Sequence, residues 1–240
     1  NGSGVADLGP ILSYVASVPA LPAQPYPTNS ITITARVQPA FAAVASVTLN
    51  WRVMFNPITQ TPMLDDGLHG DGAAGDGTYG AVIPAGVAAA NQMIRWYITA
   101  SDVSDHTSRW PVFNSATDSE EYLGTVVADP SMQTALPVIH TFIQNQSAAD
   151  TRTGTRGSIF YNGEFYDNVL LSLHGQSSAG WAKKSYNLDF TQEHRFKYQP
   201  GMARQEVEAL IGPHGREQRF AMSPNEVTFK YKFNRQNNDI

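Results

Sequence analysis

The sequence predicts a mainly β protein, in which an antiparallel β-sandwich is followed by a second, β-rich domain with at most a short helix. Two observations lead to this prediction. Short runs of β-branched and aromatic residues alternate with polar residues at period two, which is the pattern of half-buried strands. Clusters of Gly, Pro, Asn and Asp separate these runs at a spacing typical of sandwiches. A helix is predicted only at 203–211, where Gly212 and Pro213 close it.

The strand patterns divide the chain into two domains after a lead-in. Residues 1–29 are rich in Pro and Ala and are predicted to be extended. Val127-Ala128-Asp129-Pro130 is the predicted linker, because the residue before a proline favours extended geometry and the strand pattern restarts afterwards. The sandwich is predicted over residues 30–127, with alternating runs at 31–37, 47–55, 79–83 and 93–100. The second domain is predicted over residues 128–240, with strands at 138–143, 157–161, 164–166, 169–174, 184–190 and 227–233, and a type I′ turn at Asn162-Gly163.

Composition narrows the class of protein. Of the 240 residues, 42% are hydrophobic and 15% are charged, against about 25% charged in soluble proteins, a profile common among extracellular β proteins. The formal net charge is -5 and no Lys/Arg-rich patch occurs, which argues against a nucleic-acid partner. The absence of Cys excludes disulfides and thiolate metal sites, and no apolar run approaches the roughly 20 residues that span a bilayer. With no initiator Met and no signal peptide at its start, the chain is expected to be a processed or excised piece.

Residues 65–77 form an acidic, glycine-rich segment that allows two interpretations. Hard cations prefer carboxylate oxygens on a pliable loop, which favours a calcium site. The spacing lacks the Asp-x-Asp-x-Asp start of an EF-hand loop, however. The alternative, which we favour, is a turn-rich connection in which Asp side chains cap the backbone and Gly takes positive φ. The candidate calcium ligands are Asp65, Asp66, Asp71 and Asp76.

Residues 175–184 form a polar turn between two alternating runs, and they suit a bound phosphate. Glycine lets backbone N–H groups approach an anion, and lysine supplies positive charge. The alternative is a solvated strand end. Near matches to the nucleophile elbow and to the Walker P-loop fail, because both motifs need a helix where this sequence alternates like a strand. The candidate phosphate-binding residues are Gly175, Ser177, Ser178, Lys183 and Lys184.

These residues also carry a resemblance to a family. The segments Tyr-Asp-Asn-Val at 166–169, His-Gly-Gln-Ser-Ser at 174–178 and Trp-Ala-Lys-Lys-Ser-Tyr-Asn-Leu-Asp-Phe at 181–190 resemble the signature of the CotH family, the spore-coat-type secreted atypical protein kinases. A sandwich often precedes the kinase in bacterial members, so the resemblance implies an immunoglobulin-like or fibronectin-like domain at 30–127. His174, Ala179 and Ala182 depart from the family pattern, which has Arg, Arg and Pro at these positions.

The resemblance implies ATP-dependent phosphorylation of protein hydroxyls, with ATP and Mg as cofactors. No metal-holding carboxylates of the family are found in the chain, so we expect it to be catalytically incomplete. The competing hypothesis is a non-catalytic extracellular structural, adhesive or filament-forming β-sandwich protein. Its partner would be another protein or a second copy, joined by strand addition. Both hypotheses place the protein outside the cell or on its surface.

Overall fold

The computed structural model describes residues 8–18, 24–112, 121–132, 138–175, 185–191, 194, 196 and 228–229. Within them, the prediction of a mainly β fold is confirmed. Thirteen strands and one short helix follow one another along the described chain, namely β1 (Ile11–Val18), β2 (Ile31–Gln38), β3 (Val44–Val53), β4 (Thr59–Pro62), β5 (Thr78–Ile83), β6 (Met93–Asp102), β7 (Thr107–Trp110), β8 (Leu123–Val126), β9 (Ile139–Phe142), α1 (Gln146–Ala149), β10 (Thr155–Tyr161), β11 (Glu164–His174), β12 (Ser185–Asp189) and β13 (Thr228–Phe229).

The first eight strands form the predicted β-sandwich. One sheet has the order β1-β2-β5, and the other has the order β4-β3-β6-β7, with β8 also paired to β6. The strands alternate as predicted, so that every second side chain points inward. These inward side chains form one hydrophobic core, which includes Ile31, Ile33, Ala35 and Val37 of β2, Val47, Leu49, Trp51 and Val53 of β3, and Ile94, Trp96, Ile98 and Ala100 of β6.

Strand β1 lies inside the segment predicted as a lead-in, residues 1–29. It pairs antiparallel with β2 from Ile11↔Gln38 to Val18↔Thr32, and the register shifts between Leu12 and Tyr14. The segment is therefore extended, as predicted, but part of it is an edge strand of the sandwich. The predicted domain limits at residues 30 and 127 stay predictions.

The outer face of the β3–β6 sheet carries a second hydrophobic cluster. It contains Met93, Val126, Phe142, Phe160 and Phe165, so residues of the β10–β11 turn region pack on the side of β6 opposite to the first core. Gly124 of β8 makes this packing possible. A Cβ atom there would lie 2.6 Å from ring carbons of Phe165, too close for any side chain.

Contacts divide the chain into two units, the first of Asn1–Phe142 with Ile159–Asp167 and the second of Ile143–Ser158 with Asn168–Ile240. The remaining sheet has the order β13-β12-β11-β10-β9. The two-residue turn between β10 and β11 has positive φ at both positions, 51° at Asn162 and 82° at Gly163. This confirms the predicted type I′ turn.

In the second unit, β11 and β12 pair antiparallel from Leu170↔Asp189 to His174↔Ser185, and β13 joins β12 in parallel. The short helix α1 begins after Asn145, whose Oδ1 accepts a hydrogen bond of 3.0 Å from the backbone N of Ala148. The helix predicted at 203–211 lies outside the described residues. None of the helical residues described forms a segment of the length and hydropathy that a bilayer crossing needs.

Candidate functional site

The predicted phosphate-binding turn is placed only at its first residue. β11 ends at His174, and Gly175 follows with φ of 84°. The carbonyl of Gly175 accepts a hydrogen bond from Arg152. The other candidates, Ser177, Ser178, Lys183 and Lys184, lie outside the described residues. The pairing of His174 with Ser185 agrees with the predicted strand–turn–strand arrangement, while nucleotide binding stays a prediction.

The base of this hairpin is held by a polar network centred on Tyr186. Its hydroxyl donates to Asp150 and accepts a hydrogen bond of 2.9 Å from Nε2 of Gln146. Burial, reinforced by the Asp150 carboxylate, raises the pKa of Tyr186 well above its usual value. The phenol therefore keeps its proton at neutral pH and is not poised as a nucleophile. The network fixes helix α1 against β12 and supplies structure rather than reactivity.

The four aspartates of the acidic loop turn their carboxylates toward backbone N–H groups. Asp71 Oδ2 accepts from the N atoms of Asp66 and Gly67 at 2.7 and 2.8 Å. Asp65 Oδ1 and Oδ2 accept from Gly75 and Gly77 at 2.8 and 2.9 Å. The remaining two carboxylates cap their own turns, Asp66 through Leu68 and Asp76 through Thr78. The five glycines of the loop all have positive φ, namely Gly67, Gly70, Gly72, Gly75 and Gly77.

These contacts favour the ionised form of the carboxylates. The His69 ring and the N–H of Leu68 hold the pKa of Asp66 below its usual value. Burial acts to raise the pKa of Asp71, but the surrounding backbone N–H groups outweigh it and the net shift is downward. The arrangement is that of the turn interpretation. In the described part of the chain, no three His, Cys, Asp or Glu side chains are grouped to hold a metal ion, and calcium binding stays a prediction.

A third cluster was not recognised in the sequence, and it lies on the outer face of the β3–β6 sheet. Arg52 on β3 is directly opposite Arg95 on β6. Both guanidinium groups lie over the ring of Tyr122, with Cζ 5.0 Å and 4.6 Å from its centroid. Arg109 on β7 lies over the ring of Tyr97 at 4.2 Å. We call Arg52, Arg95, Arg109, Tyr97 and Tyr122 the arginine–tyrosine cluster.

One carboxylate reaches into this cluster from the turn region of β11. Asp167 Oδ1 lies 3.9 Å from Nη1 of Arg95, and the exposed fractions of the two side chains are 4% and 8%. Asp167 Oδ2 also accepts a hydrogen bond of 2.8 Å from the backbone N of Tyr122. Burial lowers the pKa of Arg95, the positive charge of Arg52 adds to this, and Asp167 opposes both. The register of β3 and β6 is what shows that Arg52 and Arg95 meet.

A comparison with known protein families gives one match. Residues 26–92 match the family model of the second Ig-like domain of conditioned medium factor. The matched residues contain β2 to β5, the acidic loop and Arg52, whereas Arg95, Asp167 and the Gly175 turn lie beyond them. No curated protein matches the chain significantly.

The match supports the immunoglobulin-like part of the predicted resemblance, and nothing in the comparisons supports the CotH part. The strand order of the two sheets agrees with an immunoglobulin-like fold, since β2 and β5 lie in one sheet and β3 and β4 in the other. The sandwich at the start of this chain is similar to an Ig-like domain of conditioned medium factor.

Proposed function

We propose that the chain is a non-catalytic extracellular protein whose Ig-like sandwich associates with a second copy by strand addition at β1. The name of the matched family, conditioned medium factor, supports an extracellular setting. Low charge content and the absence of Cys are compatible with that setting. The observation that carries the proposal is the position of β1 at the end of its three-stranded sheet.

Strand β1 differs from the other edges of the sandwich. It is eight residues long and contains no charged residue and no proline. On its other side from β2, no described strand pairs with it. By contrast, β4 has four residues and ends in Pro62, and β5 is covered where Leu64 pairs with Gly80. Edges that proteins protect are short, proline-containing or covered. β1 is neither short nor proline-containing, and β7 approaches it near its beginning, where Gly9 lies against Thr107.

A second copy is a self-complementary partner for such an edge. Two antiparallel β1 strands related by a two-fold axis would continue the three-stranded sheet into a six-stranded one. The side chains exposed along β1 include Ile11, at 52%, and Ser13. Lysines at these two positions would place charge on the pairing edge, one of the means by which proteins block the addition of a strand.

The test is sedimentation of the wild type and of Ile11→Lys with Ser13→Lys over a range of concentrations. The wild type is expected to dimerise with rising concentration, while the double variant stays monomeric with an unchanged melting temperature. The matched control is Leu68→Lys, which adds a lysine at a site that is 83% exposed on the acidic loop. A wild type that stays monomeric at every concentration would refute strand addition.

A second candidate function is weak nucleotide binding without phosphoryl transfer, as the resemblance to CotH kinases implies. Its support is the strand–turn–strand arrangement around Gly175. Calorimetry with ATP and Mg is expected to give an affinity no tighter than about 0.1 mM, near -5.5 kcal/mol. Lys183→Ala with Lys184→Ala should abolish the binding, and labelled ATP should leave no label on the chain or on added protein. Label transfer that the two lysine changes remove would refute the incomplete-kinase hypothesis.

A further inference from the structure

The arginine–tyrosine cluster places two like charges side by side on one sheet face. Arg52 and Arg95 are cross-strand neighbours in register, a position in which like charges destabilise a sheet. They are also held over the same ring, that of Tyr122. The sheet therefore keeps an arrangement that costs stability unless negative charge compensates it.

The compensation within the cluster is unequal. Arg95 is buried, and its guanidinium faces the Asp167 carboxylate. Arg52 is half-buried, and in the described part of the chain it has no hydrogen-bond acceptor and no carboxylate partner. The Nε atoms of both arginines are buried without an acceptor. Buried polar groups of folded proteins are nearly always satisfied, so these two donors call for an acceptor that the described residues do not supply.

Polar residues that neighbour Arg52 already take part in hydrogen bonds with the chain. Arg109 is tied back to the chain, because its guanidinium donates to the carbonyl oxygens of Pro111 and Glu121 at 2.7 and 2.6 Å. Asn50, two residues before Arg52 on β3, is engaged with Thr99 and Gln60 at 3.0 Å each. Arg52 is thus the partly exposed arginine of the cluster whose guanidinium donates to no acceptor among the described residues.

We propose that Arg52, backed by Arg95 and Tyr122, binds an oxyanion, either a carboxylate or a phosphate group of a ligand. The planar guanidinium of Arg52 presents parallel N–H donors that fit two oxygens of either group. The ring of Tyr122 holds the guanidinium plane in place, which lowers the entropy lost on binding. Arg95 adds positive charge from below without leaving its own partner, Asp167.

The experiment is a titration of the whole chain with inorganic phosphate and, separately, with succinate, at constant ionic strength maintained with chloride. The Nε–H signals of ¹⁵N-labelled arginine report the site directly. Phosphate or succinate is expected to shift the Arg52 signal in a saturable way, with a dissociation constant of about 1 mM, and the stronger of the two identifies the preferred group. Arg52→Gln is expected to weaken the binding about tenfold or more.

Two controls keep the test specific. Arg36→Gln removes an equal charge from the exposed side of β2 and should leave the affinity unchanged. Without added anion, Arg52→Gln should be at least as stable as the wild type, because Arg95 then has no like-charged neighbour. If the role of Arg52 were purely structural, its removal would lower the stability. The proposal is overturned if neither anion gives a saturable shift, or if both arginine variants weaken the response equally. It is also overturned if Lys183→Ala with Lys184→Ala removes the response and Arg52→Gln does not.

Discussion

Removal of the Asp167 charge should destabilise the protein more than removal of any exposed carboxylate. In Asp167→Asn the amide oxygen can still accept the hydrogen bond from the backbone N of Tyr122, so the change removes mainly the charge. Arg95 then stays buried, with Arg52 as its charged neighbour and no compensating carboxylate at 3.9 Å. A buried charge that loses its partner is one of the few causes of a large single-mutant effect.

The size of the effect follows from the geometry. Two unit charges 3.9 Å apart attract by about 4 kcal/mol at an effective dielectric constant of 20. Breaking one partner of a buried pair typically costs about 3–5 kcal/mol, because the desolvation of the remaining charge is no longer offset. We expect Asp167→Asn to lose about 3 kcal/mol. Asp167→Ala should lose about 1 kcal/mol more, since the N–H of Tyr122 also loses its acceptor.

Urea unfolding followed by tryptophan fluorescence gives the free energy of unfolding of each variant. Asp105→Asn, a change at an exposed carboxylate, is the control and should stay within about 0.5 kcal/mol of the wild type. The double variant Arg95→Met with Asp167→Leu replaces the pair with apolar side chains and should recover most of the loss. A loss below about 1 kcal/mol in Asp167→Asn would refute the argument, as would a double variant no more stable than Asp167→Leu alone.

Four further predictions follow from other parts of the fold. Burial beside Phe142 and Phe160 lowers the pKa of His140 from its usual value of 6.5. As the pH falls, the unfolded state therefore binds the proton first, and the stability should fall below about pH 6.5. In His140→Gln, the melting temperature should depend less on pH in this range. Gly124→Ala should lose about 1–3 kcal/mol in urea unfolding, because its Cβ meets the ring of Phe165 at 2.6 Å, and adding Phe165→Leu should make the combined loss smaller than the sum of the single losses. If the acidic loop binds calcium, a chelator should lower the melting temperature, because calcium at 100 times its dissociation constant adds roughly 2.7 kcal/mol to the stability. The turn interpretation expects the same melting curve with calcium and with chelator. Limited proteolysis should cut first near residues 127–130, and a first cut within residues 31–100 would contradict the predicted boundary.

The central strands could be predicted from sequence because burial on one face imposes period two. In β2, Ile31, Ile33, Ala35 and Val37 alternate with polar residues, and the structure buries these four. Strand β1 was missed because Ile11 and Leu12 are adjacent and the register shifts just after them, which breaks the alternation. Strands β4, β7 and β8 have only four residues each and carry few apolar side chains, so they show no alternation to detect.

In the candidate sites, contacts between residues close in sequence could be predicted, whereas contacts between distant residues could not. Aspartate capping within a turn is local, so the contacts of Asp66 with Leu68 and of Asp76 with Thr78 follow from the sequence. The contact of Asp65 with Gly75 joins residues ten positions apart and does not. The meeting of Arg52 and Arg95 depends on strand register, which is set by packing over the whole sandwich.

In the acidic loop, the residues that fix the backbone conformation differ from the residues whose side chains are exposed to solvent. Its shape is fixed by Asp carboxylates, by Gly backbone geometry and by the close approach of His69 to β5, where a Cβ on Gly80 would lie 2.4 Å from the His69 oxygen. The side chains of Leu68, Ala73 and Ala74 take no part in this frame and are exposed. These three positions should therefore accept almost any side chain without loss of fold. The loop is a densely hydrogen-bonded surface on which new recognition sequences could be selected while the aspartates and glycines stay constant.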